Sequence, residues 1–180
     1  NYTNNDLTYS GHVQNVGNVA AVKGGATLGT VGKGRRLEGF SINLNDSADG
    51  LAKGSIQYRA HVQDIGWQGW KQEGTLAGTT GQGKRMEAVQ IRLTGELASY
   101  YHVYYRVHSQ YFGWLGWAKN GQSAGTTGYG YRMEALQIQM VPKGGNAPAN
   151  SGYYKQYTGK KSLNVPLTYQ NPKYPNGCEA

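Results

Sequence analysis

The chain has 180 residues and a net charge of +8, from 18 Lys and Arg against 10 Asp and Glu. Its 12% aromatic content excludes a disordered chain, and five Pro are too few for collagen. No apolar run approaches the roughly 18 residues of a transmembrane helix, so membrane insertion is not expected.

Gly accounts for 28 residues, about twice the usual share, and 15 of the aromatic residues are Tyr. A single cysteine, Cys178, permits neither an internal disulfide nor a Cys-based zinc site, and no metal or cofactor is expected. The chain starts at Asn1 without a leader peptide, which reads as a mature, trimmed or engineered form.

The first predicted strand carries Tyr9, His12 and Gln14, and it opens a unit that returns twice. With His12, His61 and His108 as origin, the spacings are 49 and 47 residues, and the segments from each His align without a gap through Leu44, Leu93 and Met140. The repeats span about 7–47, 56–96 and 103–142 of a domain covering 5–142. Tyr precedes each His by three residues (Tyr9, Tyr58, Tyr105) and Gln follows it by two (Gln14, Gln63, Gln110). Then come three Gly, an Arg and a Glu (Arg36/Glu38, Arg85/Glu87, Arg132/Glu134) and a closing Ile (Ile42, Ile91, Ile138).

Each unit reads as strands. In 56–63 Ile56, Tyr58, Ala60 and Val62 share one face and Gln57, Arg59, His61 and Gln63 the other, the period-2 pattern of a half-buried strand. The run 87–93 alternates likewise, with Val89, Ile91 and Leu93 inward, and a further apolar stretch surrounds Trp67 and Trp70. The Gly-Thr-Thr-Gly-x-Gly segment between them is turn chemistry. No helical period exceeds two turns. One such unit cannot bury its apolar face alone, so three of them predict an all-β, threefold pseudo-symmetric repeat domain. A β-prism is the first choice and a β-trefoil the second; spacing does not separate them.

After the repeats, 143–151 is a polar linker rich in Gly, Asn and Pro, and 152–180 is a tail outside the repeat pattern.

The Trp pairs are the sharpest candidates. Trp67/Trp70 and Trp114/Trp117 are equivalent, while the first repeat has Asn18 and Ala21 there. On a continuous strand an i, i+3 pair points to opposite faces, one Trp in and one out. An exposed, amphipathic indole suits a platform for a sugar ring or a peptide side chain; the alternative is gap-filling between repeats. One His per repeat is not the spacing of a local metal motif, and no acid recurs beside it in sequence, so a hydrogen-bonding His is expected before a ligand-binding or zinc-binding one. Arg-x-Glu places both side chains on one strand face, as a structural ion pair tying the Gly-rich turn or as polar ligand contacts beside the Trp.

Gly78–Lys84 lacks the phosphate-loop pattern and no helix follows. No basic run is longer than a pair and no recognition helix is visible, so nucleic acid is not the expected partner; an anionic envelope polymer accounts for the charge equally well.

The motif His-Val-Gln-x-x-Gly-Trp-x-x-Trp, then Gly-Thr-x-Gly-x-Gly, then Arg-Met-Glu-Ala resembles the clostridial hydrophobic repeat with a recurring Trp, the ChW repeat, over residues 5–142. Repeats two and three match it, with Ser109 in place of Val in repeat three; repeat one departs at Asn18, Ala21, Leu37 and Gly39. The resemblance implies a secreted or surface-bound Gram-positive protein and a non-catalytic attachment module for cell-wall or other glycan, or for a surface protein, often joined to a hydrolase. The tail from Leu163 to Ala180 resembles the opening of a C39-like cysteine peptidase domain. That likeness implies Cys178 as nucleophile and Gln170 beside the oxyanion, with the His and Asp partners outside this chain, which is then itself inactive.

The expected ligand contacts are therefore Trp67, Trp70, Trp114 and Trp117, supported by His61, His108, Arg85 and Arg132. Ring stacking and hydrogen bonds would hold an attached enzyme near its substrate. An adhesion module using the same Trp surface, and a fragment of an active peptidase, are the alternatives.

Overall fold

A computed structural model of the chain describes residues 2–45, 53–148 and 155–156. Repeat one forms β1 (Leu7–Val13), β2 (Gly17–Lys23), β3 (Thr27–Gly29) and β4 (Leu37–Leu44). Repeat two forms β5 (Ile56–Val62), β6 (Gly66–Trp67), β7 (Lys71–Gln72), β8 (Ala77–Gly78) and β9 (Met86–Leu93), and a short helix α1 (Gly95–Tyr100) follows. Repeat three forms β10 (Tyr101–Ser109), β11 (Gly113–Trp114), β12 (Ala118–Lys119), β13 (Ser123–Thr127) and β14 (Met133–Pro142). A last short strand, β15 (Lys155–Gln156), lies parallel to β13 with Thr126 opposite Lys155.

The expected alternation is present. Ile56, Tyr58, Ala60 and Val62 are fully buried, and Val89, Ile91 and Leu93 are buried on the facing strand β9. In every repeat the first long strand pairs antiparallel with the last, β1 with β4, β5 with β9 and β10 with β14. Each of these ladders carries a bulge at the same place, between His12 and Val13, His61 and Val62, and His108 and Ser109.

The three resulting sheets are completed by exchange. β8 of repeat two adds to β4 of repeat one, β13 of repeat three adds to β9 of repeat two, and β3 of repeat one adds to β14 of repeat three. The exchange runs in one rotational sense and closes on itself, so each sheet gains the edge strand it lacks. Three separate sheets related in this way make an all-β, prism-like domain rather than a trefoil.

The exchange needs glycine. Gly78 has φ +87°, and a Cβ there would meet the Glu38 carbonyl oxygen and lie 2.8 Å from Gly39 Cα and Met86 Sδ. Gly29 and Gly125 occupy the same position in the other two exchanges, with φ +98° and +110°. Only a residue without Cβ lets the incoming strand approach this closely.

One core runs through all three repeats. Its largest fully buried side chains include Tyr9, Tyr58, Tyr105 and Phe40. The phenols find partners across repeat boundaries: the Ile138 amide donates to Tyr9 Oη at 3.1 Å and the Ile42 amide to Tyr58 Oη at 3.1 Å. Each tyrosine in turn donates to a carbonyl 17 residues on, of Ala26, Thr75 and Gln122. Burial pushes the Tyr9 hydroxyl up to about 12, and raises those of Tyr58 and Tyr105 as well. The recurring Tyr and Ile are thus the two halves of one inter-repeat contact.

Candidate functional site

Two constellations recur on the outer sheet faces. The first is a latch present in all three repeats. Nδ1 of His12, His61 and His108 lies 3.0, 2.8 and 3.0 Å from Oε1 of Glu38, Glu87 and Glu134. Oε2 of the same carboxylates accepts from Nε of Arg36, Arg85 and Arg132 at 2.5, 2.9 and 3.0 Å. The backbone amide of each Arg donates to the side chain of Gln14, Gln63 or Gln110, at 3.2, 3.3 and 3.2 Å. The Gln amides return the bond to the Arg carbonyls at 2.9 Å. His, Gln, Arg and Glu therefore form one network that closes the ladder where it bulges.

The absence of an acid next to each His in sequence is corrected by this geometry. The partner comes 26 residues later, on the opposite strand. The three carboxylates are buried, with 4–6% exposure, and each is matched by a His and an Arg that are only partly exposed. The Arg also borders the Gly-rich turn of the next repeat: a Cβ on Gly83 would lie 3.7 Å from Arg36 Nη2, and one on Gly130 3.4 Å from Arg85 Nη2.

The second constellation exists only in repeats two and three. Arg59 lies between two indoles, its guanidinium carbon 5.1 Å from the Trp67 ring centre and 4.8 Å from that of Trp70. Arg106 lies 4.4 Å from Trp114 and 4.9 Å from Trp117. In repeat two Arg92 adds a further contact, 3.8 Å from Trp70. Gln90 and Gln137 hold the two guanidinium groups by accepting from Nε at 2.8 and 2.7 Å. The same glutamines donate onward to Ser123 and Thr27 on the incoming edge strands, at 2.9 and 2.7 Å.

This arrangement corrects the expectation that the two Trp of a pair point to opposite faces. Both flank one Arg on the outer face. The reason is local: β6 ends at Trp67 and β7 starts at Lys71, so the stretch is not a continuous strand and the two-residue period does not carry across Gly69. Repeat three breaks likewise at Gly116 between β11 and β12.

Trp67, Trp70 and Trp114 are half-buried, whereas Trp117 is 7% exposed. Each Trp–Arg–Trp ladder joins the latch of its own repeat through a ring contact, His61 against Trp67 and His108 against Trp114, both at 5.3 Å and edge to face. All eight residues expected to bind ligand thus fall into two connected groups: His61, Arg85, Trp67 and Trp70 in repeat two, and His108, Arg132, Trp114 and Trp117 in repeat three. Arg59, Arg106, Gln90 and Gln137 belong to the same faces and were not singled out as contacts. Their signal was present, since Arg59 shares the polar face of its strand with His61.

Repeat one shows that latch and ladder are separate devices. It keeps His12, Gln14, Arg36 and Glu38 but has Ser10, Ser41, Asn18 and Ala21 where the others have Arg, Gln and two Trp. Its two serines face each other at 3.4 Å. The whole ladder is absent together, as expected of residues that serve one another.

Among the described residues no three His, Cys, Asp or Glu are grouped to hold a metal. No helix there is long and apolar enough to cross a membrane. Cys178 and Gln170 lie outside the described residues.

A family model described as Clostridial hydrophobic W, ChW, matches the chain three times, at residues 12–46, 61–95 and 108–142. Each match begins at the His that anchors a latch. No curated protein and no solved structure matches.

Proposed function

The chain belongs to the ChW family, and from that premise we propose that it attaches a secreted or surface-bound protein of a Gram-positive bacterium to cell-wall or other glycan. ChW repeats are non-catalytic modules found in bacterial extracellular proteins, and this all-β repeat domain is one of them. The glycan reading is carried by one observation: a Trp–Arg–Trp ladder stands on the outer face of two of the three sheets.

Within each ladder the roles divide. Trp67 and Trp114 are half-buried, next to the latch histidines, and take the sugar. Trp117 is buried, and Trp70 is covered by the guanidinium groups of both Arg59 and Arg92, so these two indoles support the arginines. An indole offers an apolar face together with an N–H donor, the combination a hydrated pyranose needs. Arg59 and Arg106 supply further donors beside it. His61, His108, Arg85 and Arg132 keep the face in register through Glu87 and Glu134. Two such faces on one body give a bivalent grip on a polymer, so weak single contacts combine. The net charge of +8 favours approach to an anionic wall. The C39-like likeness of the tail fits a hydrolase held near its substrate.

The test is cosedimentation with Gram-positive sacculi. Wild type should pellet, and a folded Trp67→Ala/Trp114→Ala double should stay in the supernatant. The Trp70→Ala/Trp117→Ala double, checked by circular dichroism, should lose binding only in proportion to lost structure. Wild-type protein remaining in the supernatant would overturn the wall-glycan reading and bring a protein partner to the front.

A further inference from the structure

Repeat three carries an aromatic tip that the other two repeats lack. Tyr111 and Phe112 lie in the turn after β10, and Tyr129 and Tyr131 in the Gly-rich turn before β14. Their rings pack together: Tyr111 to Tyr131 at 4.8 Å, Phe112 to Tyr129 and to Tyr131 at 5.3 Å, and Tyr129 to Tyr131 at 5.4 Å. The equivalent positions are Asn15, Val16, Lys33 and Arg35 in repeat one, and Asp64, Ile65, Gln82 and Lys84 in repeat two. Four independent positions have become aromatic in one repeat, and they meet in space.

Folding does not explain the change. Position 111 has φ +71°, and its equivalents Asn15 and Asp64 have φ +64° and +66°. Asn and Asp tolerate this left-handed conformation through their short polar side chains; a bulky Tyr does not favour it. Nor does Tyr111 gain by burial, since it is 80% exposed. A side chain that suits neither its backbone nor the solvent marks a functional position.

We propose that this tip is a saccharide-binding site that takes an uncharged pyranose by stacking on the tyrosine rings. The choice of ligand follows from what has been removed. Repeat two places an Asp64–Lys84 ion pair at 3.6 Å where repeat three has the Tyr111–Tyr131 ring pair. The four side chains of the tip therefore bear no charge on a chain of net +8, and the neighbouring Arg85, which borders Gly130, is already paired with Glu87 at 2.9 Å. Three phenols and a phenyl ring present apolar faces edged by hydroxyls, which matches a neutral sugar, and none of them supplies a cation to pair with a phosphate or carboxylate. The site uses other residues than the Trp–Arg ladders and does not depend on their assignment.

Aromatic-region NMR of the labelled chain, titrated with cellohexaose, chitohexaose and xylohexaose, tests it. A hexagalacturonate serves as the anionic control. At least one neutral hexasaccharide should shift the Tyr111 and Tyr131 ring signals saturably. Tyr111→Asp/Tyr131→Lys, which restores the pair of repeat two, should weaken that binding about tenfold or more while the remaining spectrum stays native. The Trp67→Ala/Trp114→Ala double should retain the tyrosine shifts, so failure of the ladder reading and failure of this one are separately visible. The proposal falls if no neutral hexasaccharide moves these signals at millimolar concentration, if only the anionic one does, or if the restored pair binds as well as wild type. It also falls if the signals move with protein concentration alone, which would make the tip a contact between copies.

Discussion

Tyr58 and Ile42 belong to different repeats, and the Ile42 amide donates to the Tyr58 phenol oxygen at 3.1 Å in the buried interior. The same phenol donates to the Thr75 carbonyl at 2.5 Å, so its donor and an acceptor position are both used. Tyr58→Phe keeps the ring and removes both bonds, leaving a buried amide and a carbonyl without that partner. The expected loss is about 1–3 kcal/mol. For a chain of this size that lowers Tm by roughly 3–10 °C. Thermal unfolding by circular dichroism measures it; an unchanged Tm would mean that the phenol is dispensable.

The buried tyrosines also set an alkaline limit. Their folded hydroxyls titrate above the unfolded value of about 10, because burial penalises the phenolate. Between pH 10 and 12 the unfolded chain releases these protons while the folded chain keeps them. The unfolded state then binds fewer protons, and stability falls as pH rises. Stability from this source is whole below pH 10 and is lost progressively above it. Tyr9, raised to about 12, accounts for up to about 3 kcal/mol by pH 12. Urea midpoints should be flat in this respect up to pH 9 and should fall steeply from pH 10. Tyr9→Phe should show a shallower fall; an identical slope would remove Tyr9 as a source.

The repeat, the period-2 strands and the role of Gly-rich turns were legible because each depends on neighbours close in sequence. The recurring Tyr and Ile were visible too, but not that they meet, since the contact joins different repeats. The direction of strand exchange was hidden for the same reason: three equivalent units fit either sense of rotation. The Trp pair was misread as spanning two faces because the period-2 rule was carried across Gly69, where the strand ends. Glu87 was seen only beside Arg85, and its second partner His61 waits 26 residues away on the paired strand. The ladder arginines were on the page as polar-face residues, but stacking on a ring leaves no mark in sequence spacing.

Gly78, at the end of β8, and Gly81, in the turn that follows, separate close approach from backbone conformation. Gly78 and Gly81 have similar φ, +87° and +71°. At Gly81 a Cβ would meet nothing within 4 Å, whereas at Gly78 it would meet the backbone of Glu38 and Gly39. Gly81→Ala should cost about 1–2 kcal/mol, the left-handed penalty alone. Gly78→Ala should exceed about 4 kcal/mol or prevent folding, because β8 can no longer reach β4. Equal urea midpoints for the two variants would show that the exchange tolerates a methyl group.

Thr126 is fully buried, and its hydroxyl has no hydrogen-bond partner among the described residues. Thr79, at the same position of repeat two, shares this property. Thr126→Val exchanges the hydroxyl for a methyl of similar shape. The expected change in Tm is zero or a rise of a few degrees, since an unsatisfied hydroxyl is costly to bury. A fall instead would reveal a bound water serving the hydroxyl.

The latch and the ladder can be pulled apart in one experiment. Glu38→Gln and Glu87→Gln each remove a buried carboxylate charge that pairs with a His and an Arg. The Arg and His remain a fifth to a quarter exposed, so solvent recovers part of the loss, and each variant should lose about 1–3 kcal/mol. The two destabilisations should be similar, because the latch geometry is the same in both repeats. Their effects on binding should differ. His61 packs against Trp67, so releasing it disturbs the repeat-two ladder and weakens sacculus binding. Repeat one has no ladder, so Glu38→Gln should unfold more easily yet bind like wild type at temperatures where it is folded. Equal loss of binding in both variants would mean that the latch acts on ligand only through overall stability.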